Sequence, residues 1–532
     1  MQPAMNVEFS KLPDDTSSLK EIITEQHLEY QKIQEQNHYL QEMVRLLKNE
    51  LFGRKSEIRS QPSSNQLPIF APPEAPLSPE PADEVVIEAH TRKKRGRKPL
   101  SADLPRVEVI HDISEEEKQC PCGAELIRIG EEVSEKLDYT PAKLRVIRNI
   151  RPKYACKFCE GVEDDGPTVK IASPPVQLIP KSIATERLLA QVAVSKFADG
   201  LPLYRQQKIF CRYGVDLSRA TMAGWMIQAS GQCLPILELI ANEIRGGPII
   251  NIDESPLQVL KEPGRKNTTK SYMWVFCGGH PDRRAVVYHY HPTRSGQVPL
   301  NFLGDYQGYV QSDAFAGYEQ VARKKGIVHV GCFVHSRRKF MDVIKSRKKN
   351  RGGKAPFRGL ADEALDFIRN LYKIEKQANR QQLSYDEVYQ LRQQEAKPIL
   401  EQFKLWLEAN QPLTPPKGLL GKAIQYALNN WKKLIRYVED GRLKPDNNVA
   451  ENAIRPFVLG RKAWLFSGAP KGAEASATFF SLIETAKANG HEPYAYLRHI
   501  FEKLPLAKTD EDYKALLPWN LDADTMAAST HQ

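Results

Sequence analysis

The sequence predicts a multidomain α+β protein, and three observations predict it. A heptad of apolar residues runs through residues 19–51. Two close cysteine pairs fall within residues 106–180. After residue 248 come three β-rich runs, a helical piece and two more β-rich runs, and a long Leu-, Gln- and Lys-rich helical stretch then intervenes. At 532 residues the chain is too long for one compact core, so several folding units are expected.

Composition narrows the class. The chain is 41% hydrophobic and 27% charged, with no apolar run long enough to span a bilayer. Met1 to Leu12 is polar and mixed and lacks the charged-then-apolar order of a secretory signal, so a cytoplasmic protein without membrane contact is expected. Lys and Arg number 76 against 65 Asp and Glu, a net charge of +11 that suits a polyanionic partner. The eight cysteines do not form a secreted disulfide framework. Cys211, Cys233, Cys277 and Cys332 are isolated and read as small buried apolar residues.

Residues 16–58 are assigned to a leucine-zipper coiled coil. One row is Leu19, Gln26, Ile33, Leu40 and Leu47; the other is Ile23, Tyr30, Asn37, Val44 and Leu51. The spacing alternates four and three, and neither Pro nor Gly interrupts it. Asn37 would fix register and favour a parallel pair, making the protein a homo-oligomer, a dimer in the simplest case; the other reading is one amphipathic helix packed on its own chain. Residues 59–105 form a linker, rich in Pro, Ser and acid and ending in the basic run Arg92 to Pro99. Arg95 and Arg97 flank Gly96 there and could enter an A·T-rich minor groove, or form a plain solvated charge run.

Residues 106–180 read as a zinc-finger domain. Cys120 and Cys122, then Cys156 and Cys159, supply four thiolates in two close pairs, the donor set of a structural tetrahedral Zn²⁺ site; four unligated thiols are the other reading. Residues 181–245 read as helical and helix-turn-helix-like. Leu203 to Tyr213 is a candidate helix, Gly214 to Ser218 a turn, and Ser218 the cap of a helix through Gln228. Arg219, Thr221 and Gln228 would then be available to a DNA groove, though helix pairs with a Gly turn are common in any α domain.

The first part of an α/β core is placed at residues 246–345. Ile249 to Ile252 is a short apolar run that delivers Asp253, with Leu257, Val259 and Leu260 continuing it. Ser271 to Cys277 and Arg284 to Tyr290 would complete a meander. A helical piece at Val298 to Leu303 precedes Gly308 to Gln311, which ends in Ser312-Asp313, and Ile327 to Val334 is the next strand. That order is the order of a ribonuclease-H-like domain, in which the first and fourth strands are central neighbours. Asp253 and Asp313 would face each other across them and hold Mg²⁺ through hard oxygen ligands. Residues 346–440 read as an all-α insertion. Residues 441–490 return to the core with a helix that Asp446 or Asn447 caps and Pro456 limits, carrying Glu451 as the third carboxylate and Arg455 one turn on, within reach of DNA phosphate. Residues 491–532 form a C-terminal helical tail. Glu254, Asp446 and Glu484 are assigned capping or surface roles.

These residues carry a resemblance. LFGRKSE, CPCGAEL with KYACKFCEG, NIDESP, TRSGQVP, GYVQSDAFAGY, CFVHSRRKF, DNNVAENAIRPFVLGRKAWLFSGAPKG and ETAKANGHEPYAYL occur in order along almost the whole chain. The sequence resembles the large transposase of insertion-sequence family sixty-six. The resemblance implies a DDE transposase with Asp253, Asp313 and Glu451 as triad and Mg²⁺ or Mn²⁺ as cofactor. It implies double-stranded DNA, both element ends and target, as partner, and accessory proteins of the same element as further partners. Position 458 is Val where many DDE enzymes carry Lys or Arg, so Arg455 or Arg461 would stand in. His335, Arg337 and Arg338 match a family motif and are assigned to phosphate or DNA contacts.

Overall fold

The computed structural model describes residues 173–346 and 358–522, two short strands before them, and a few scattered positions nearer the N-terminus. Thr24, Gln26, Glu29, Tyr30 and Ile33 are helical. The rest of the expected coiled coil, Arg95, Arg97, and the cysteines Cys120, Cys122, Cys156 and Cys159 lie outside the described residues. The chain divides into two compact units, Phe70–Pro174 and the remainder. In the first, β1 (Lys153–Ala155) pairs antiparallel with β2 (Val169–Ile171), Lys153 opposite Ile171.

In the second unit, α1 (Glu186–Phe197), α2 (Leu203–Arg212), α3 (Arg219–Gln232) and α4 (Leu234–Gly246) come first. Thr185 and Ser218 cap α1 and α3 by accepting from the amides of Leu188 and Thr221. Gly214 turns the chain between α2 and α3 at φ +78°, a conformation that costs other residues more. Phe210, Leu217, Met222, Trp225 and Met226 are buried around that turn.

The sheet follows: β3 (Ile249–Val259), β4 (Lys270–Gly278), β5 (Ala285–His291), β6 (Gly308–Gln311) and β7 (Ile327–Val330). Their spatial order is β5-β4-β3-β6-β7, so β3 is central, antiparallel to β4 and parallel to β6. Helix α5 (Gln297–Leu303) makes the crossover from β5 to β6. The expected strand at Ile327 to Val334 stops at Val330, because helix α6 (Phe333–Ser346) begins three residues on; Cys332 Sγ accepts the amides of Val334 and His335 as its cap.

Residues 360–439 are helical almost throughout and build a second core on α6, centred on Phe340, Phe403, Leu407, Trp431 and Tyr437. The chain then re-enters the sheet region through α7 (Asn448–Trp464), β8 (Phe466–Ser467, paired with the far end of β3) and α8 (Pro470–Ala488). Pro456 does not limit α7, which runs eight residues beyond it. A proline there removes one hydrogen bond, but Ile454 and Phe457 on either side are buried in the core and hold both halves in line. Helix α8 covers the edge strand: Ser481 Oγ accepts from Tyr288 N at 2.7 Å, and Thr485 Oγ1 bonds both backbone groups of Val286 at 3.1 and 2.9 Å. The free rim of β5 is thereby satisfied by side chains, which removes a template for edge-to-edge pairing. Among the described residues no helix is long and apolar enough to cross a membrane.

Candidate active site

In a strand, residues two apart share a face. Asn251 on β3 is the register partner of Gln311 on β6. Two residues on along each chain stand Asp253 and Asp313, so the pairing that sets one also levels the other. The amides below them are bonded: Asn251 Nδ2 donates to Gln311 Oε1 at 3.1 Å and to Asn447 Oδ1 at 2.9 Å. Asn447 in turn donates to Ile252 O at 2.8 Å, and Gln311 to Lys444 O at 2.7 Å. Asn447 is the N-cap position of α7, and Glu451 lies one helical turn further on. Three buried amides therefore tie together the three elements that present the three carboxylates. Asn447 spends its side chain on this network rather than on capping, and Asp446 Oδ1 accepts the Asn448 amide instead.

Burial pushes the Asp253 carboxyl well above the usual carboxylate range, and the charges of Glu254, Asp313 and Glu451 push it further. Four acidic groups thus bear on one place. Glu451 is 8% exposed. Its Oε1 lies 3.9 Å from Cys332 Sγ and 3.8 Å from His335 Nδ1. Burial lowers the His335 imidazole, while Glu451 and Asp313 oppose that effect. Burial also pushes the Cys332 thiol up to about 12.

Glu254 was expected at the surface, but its side chain is only 1% exposed. Arg294 Nε donates to its Oε1 at 2.6 Å and Tyr318 OH to its Oε2. The Arg294 guanidinium also lies over the Phe315 ring, 3.7 Å from its centroid. Burial first, then Asp313, raises the Glu254 carboxyl; Arg294 and Tyr318 oppose this. Glu484 is paired with Lys487 at 2.9 Å. A signal for the amides was present: a polar residue two before each aspartate inside an otherwise apolar run.

The expected DNA contacts divide. Arg219, Thr221 and Gln228 are exposed along α3, and Arg455 is exposed on α7. Arg337 and Arg338 are half-buried on α6. Arg461 donates to the Pro256 carbonyl, a backbone partner within β3's own strand.

The amide network is testable apart from chemistry. Asn447→Ala removes the side-chain donor to the Ile252 carbonyl and one of the two acceptors of the Asn251 amide, which keeps Gln311, and a buried group left short of a partner costs about 1–3 kcal/mol. A clear fall in the thermal midpoint of the core is the expected result. Asn452→Ala, exposed on the same helix, is expected to change stability by no more than about 0.5 kcal/mol. Equal midpoints for the two variants would remove the network's structural role.

Comparison with known proteins agrees along the chain. Residues 181–475 match the model described as "Transposase IS66 family", and residues 481–519 the IS66 C-terminal element. Residues 117–160, which contain all four paired cysteines, match the zinc-finger binding domain of transposase IS66. Residues 39–109 match "Transposase C of IS166 homeodomain". Among similar proteins, the uncharacterized protein y4jD of Sinorhizobium fredii (strain NBRC 101917 / NGR234) is 31% identical, covering 98% of this chain and 99% of its own. The uncharacterized protein y4qI of the same organism is 33% identical over 83% of this chain and 82% of its own. Together these matches establish that the chain belongs to the IS66 family of DNA transposases.

Proposed function

We propose that the protein cuts and joins DNA at the ends of its own insertion sequence, using Asp253, Asp313 and Glu451 as a DDE triad on a ribonuclease-H-like sheet. The observation that carries this reading is the convergence of the three carboxylates from β3, β6 and α7, felt as mutual charge repulsion at Asp253. The strand order with β3 central supports the fold reading. The donor set fits hard divalent cations: carboxylate oxygens, with Arg294 already engaged by Glu254. Bound Mg²⁺ or Mn²⁺ would supply charge stabilisation for in-line displacement at phosphorus.

The chain's own residues would do the rest. The amide network holds the carboxylates at fixed spacing, and Arg294 with Tyr318 ties down Glu254 beside them. Exposed Arg455, with Arg219 on α3, would meet DNA phosphate and groove. Water cleavage of one phosphodiester frees a 3′-hydroxyl, which attacks a target phosphodiester and so exchanges one such bond for another. Cys120, Cys122, Cys156 and Cys159 would hold one Zn²⁺ in the finger, and the N-terminal heptad would pair protomers so that both ends are held together.

Purified full-length protein incubated with labelled element ends, target plasmid and Mg²⁺ tests this. Joined products that disappear with chelator are the expected result. Hydrolysed ends without joining would make the protein a nuclease, and intact DNA would make it a binding protein only.

A further inference from the structure

Glu451 also meets donors of another kind. Its Oε1 faces a thiol and an imidazole nitrogen together, at 3.9 and 3.8 Å, and the three ligand atoms all lie within 4.8 Å of one another. Zinc takes sulfur at about 2.3 Å and nitrogen or oxygen at about 2.0–2.1 Å, so neighbouring ligands in a tetrahedral site stand about 3.4–3.6 Å apart. The two contacts to Glu451 need to close by only a few tenths of an ångström, and the thiol and imidazole, within 4.8 Å of each other, by at most about 1.4 Å.

Two further observations point to an ion. His335 Nδ1 is buried without a hydrogen-bond partner, and an unpaired buried polar atom is costly. Cys332 Sγ accepts backbone amides from Asn447 at 3.3 Å, and from Val334 and His335 at the start of α6. These amides orient the sulfur toward Glu451 and offset only part of the burial that keeps it a thiol. The spacing C-x-x-H places both ligands on one turn of α6.

We propose that Cys332, His335 and Glu451 form a binding site for a thiophilic divalent ion of the zinc or cobalt kind, which withdraws Glu451 from the aspartates and inhibits the DNA chemistry. Sulfur and imidazole donors select such ions over Mg²⁺, whereas the aspartates offer oxygen alone. On binding, the thiol proton leaves to solvent. Glu451 is the one side chain claimed by both donor sets, so occupancy of one site depletes the other. His335 thereby acts as a ligand rather than as the phosphate contact expected from sequence. The inhibitory half rests on the proposed function; the binding half does not.

The experiment uses full-length protein reconstituted with one equivalent of zinc, enough for the four paired cysteines, then titrated with Co²⁺ and read by absorption. A thiolate-to-cobalt charge-transfer band saturating at one added equivalent is expected. It should be lost in Cys332→Ser and in His335→Gln, and retained in Cys211→Ser, whose thiol is exposed elsewhere. Absence of the band, or its survival in both site variants, overturns the site. In cleavage assays at fixed Mg²⁺, each protein is compared with its own zinc-free rate. Cys332→Ser should need at least about tenfold more Zn²⁺ for half-inhibition, a difference of about 1.4 kcal/mol in binding. A mutant-sensitive band with equal zinc inhibition in both proteins overturns the coupling to Glu451. The proposed function fails separately, through triad variants that remain active in Mg²⁺.

Discussion

Asp313→Asn is expected to reduce cleavage and strand transfer at least about a thousandfold while folding and end binding survive. The substitution keeps size and shape and removes the charge that would hold a cation. Bound divalent ions stabilise developing charge by several kcal/mol, and each 1.36 kcal/mol is a factor of ten in rate. Asp253→Asn and Glu451→Gln should lose as much. Because the three would act through shared ions, a double variant should fall little below a single one. Glu484→Gln, whose carboxylate is paired with Lys487, should stay near the parent rate. Activity retained in Glu451→Gln but lost in Glu484→Gln would move the third ligand to Glu484; activity in all three triad variants would end the DDE reading.

The same charge crowding has a thermodynamic signature. The Asp253 carboxyl is held well above its unfolded value, so the native protein binds more protons than the unfolded chain between those two values. Stability therefore falls as pH rises through that window, from about 3.9 upward. In chelator at neutral pH, Asp253→Asn should raise the thermal midpoint, and the gain should shrink in acid where the aspartate is protonated in both states. Mg²⁺ should then raise the parent's midpoint more than the variant's. A lower midpoint for Asp253→Asn in chelator would show that its carboxylate is not under repulsion.

Much of the architecture was legible because strands and insertion obey simple periodicities. Ile249 to Ile252, Gly308 to Gln311 and the helical stretch after residue 356 announce themselves by apolar runs or helical spacing. The failures have physical causes. Period-two alternation assigns Glu254 to the face opposite Asp253 and so to solvent, whereas Arg294 and Tyr318, distant in sequence, close over it. The start of α6 was hidden because its cap is a thiol, outside the usual oxygen-bearing cap residues. Pro456 reads as a stop, and tertiary packing of Ile454 and Phe457 overrides it. The amides Asn251, Gln311 and Asn447 lie 60 and 196 residues apart in their pairings, a separation that local reading does not bridge.

Glu375→Ala is expected to destabilise the protein by about 3–5 kcal/mol, although both Glu375 and its partner lie in the helical insertion. Arg392, with a fully buried side chain, donates to both Glu375 oxygens at 2.8 and 2.7 Å. It also donates to the carbonyls of Tyr437, Asp440 and Leu443 at 2.8 to 2.9 Å. Removing Glu375 strands a guanidinium without counterion, the costly half of a buried pair. Lysine cannot replace Arg392, since only the planar fork reaches two oxygens and three carbonyls together. The consequence reaches the active site through the chain. Those three carbonyls hold residues 437–443, the next residue is Lys444, whose carbonyl accepts from Gln311, and Asn447 and Glu451 follow. Loosening that segment should displace Glu451, and a misplacement of about 1 Å can cost on the order of a hundredfold in rate. Glu375→Ala should therefore lower both the thermal midpoint and the cleavage rate measured well below that midpoint. An unchanged rate with a lowered midpoint would confine the pair to holding the insertion together. An unchanged midpoint would mean that water reaches Arg392 and that its burial is not what secures the segment leading to Glu451.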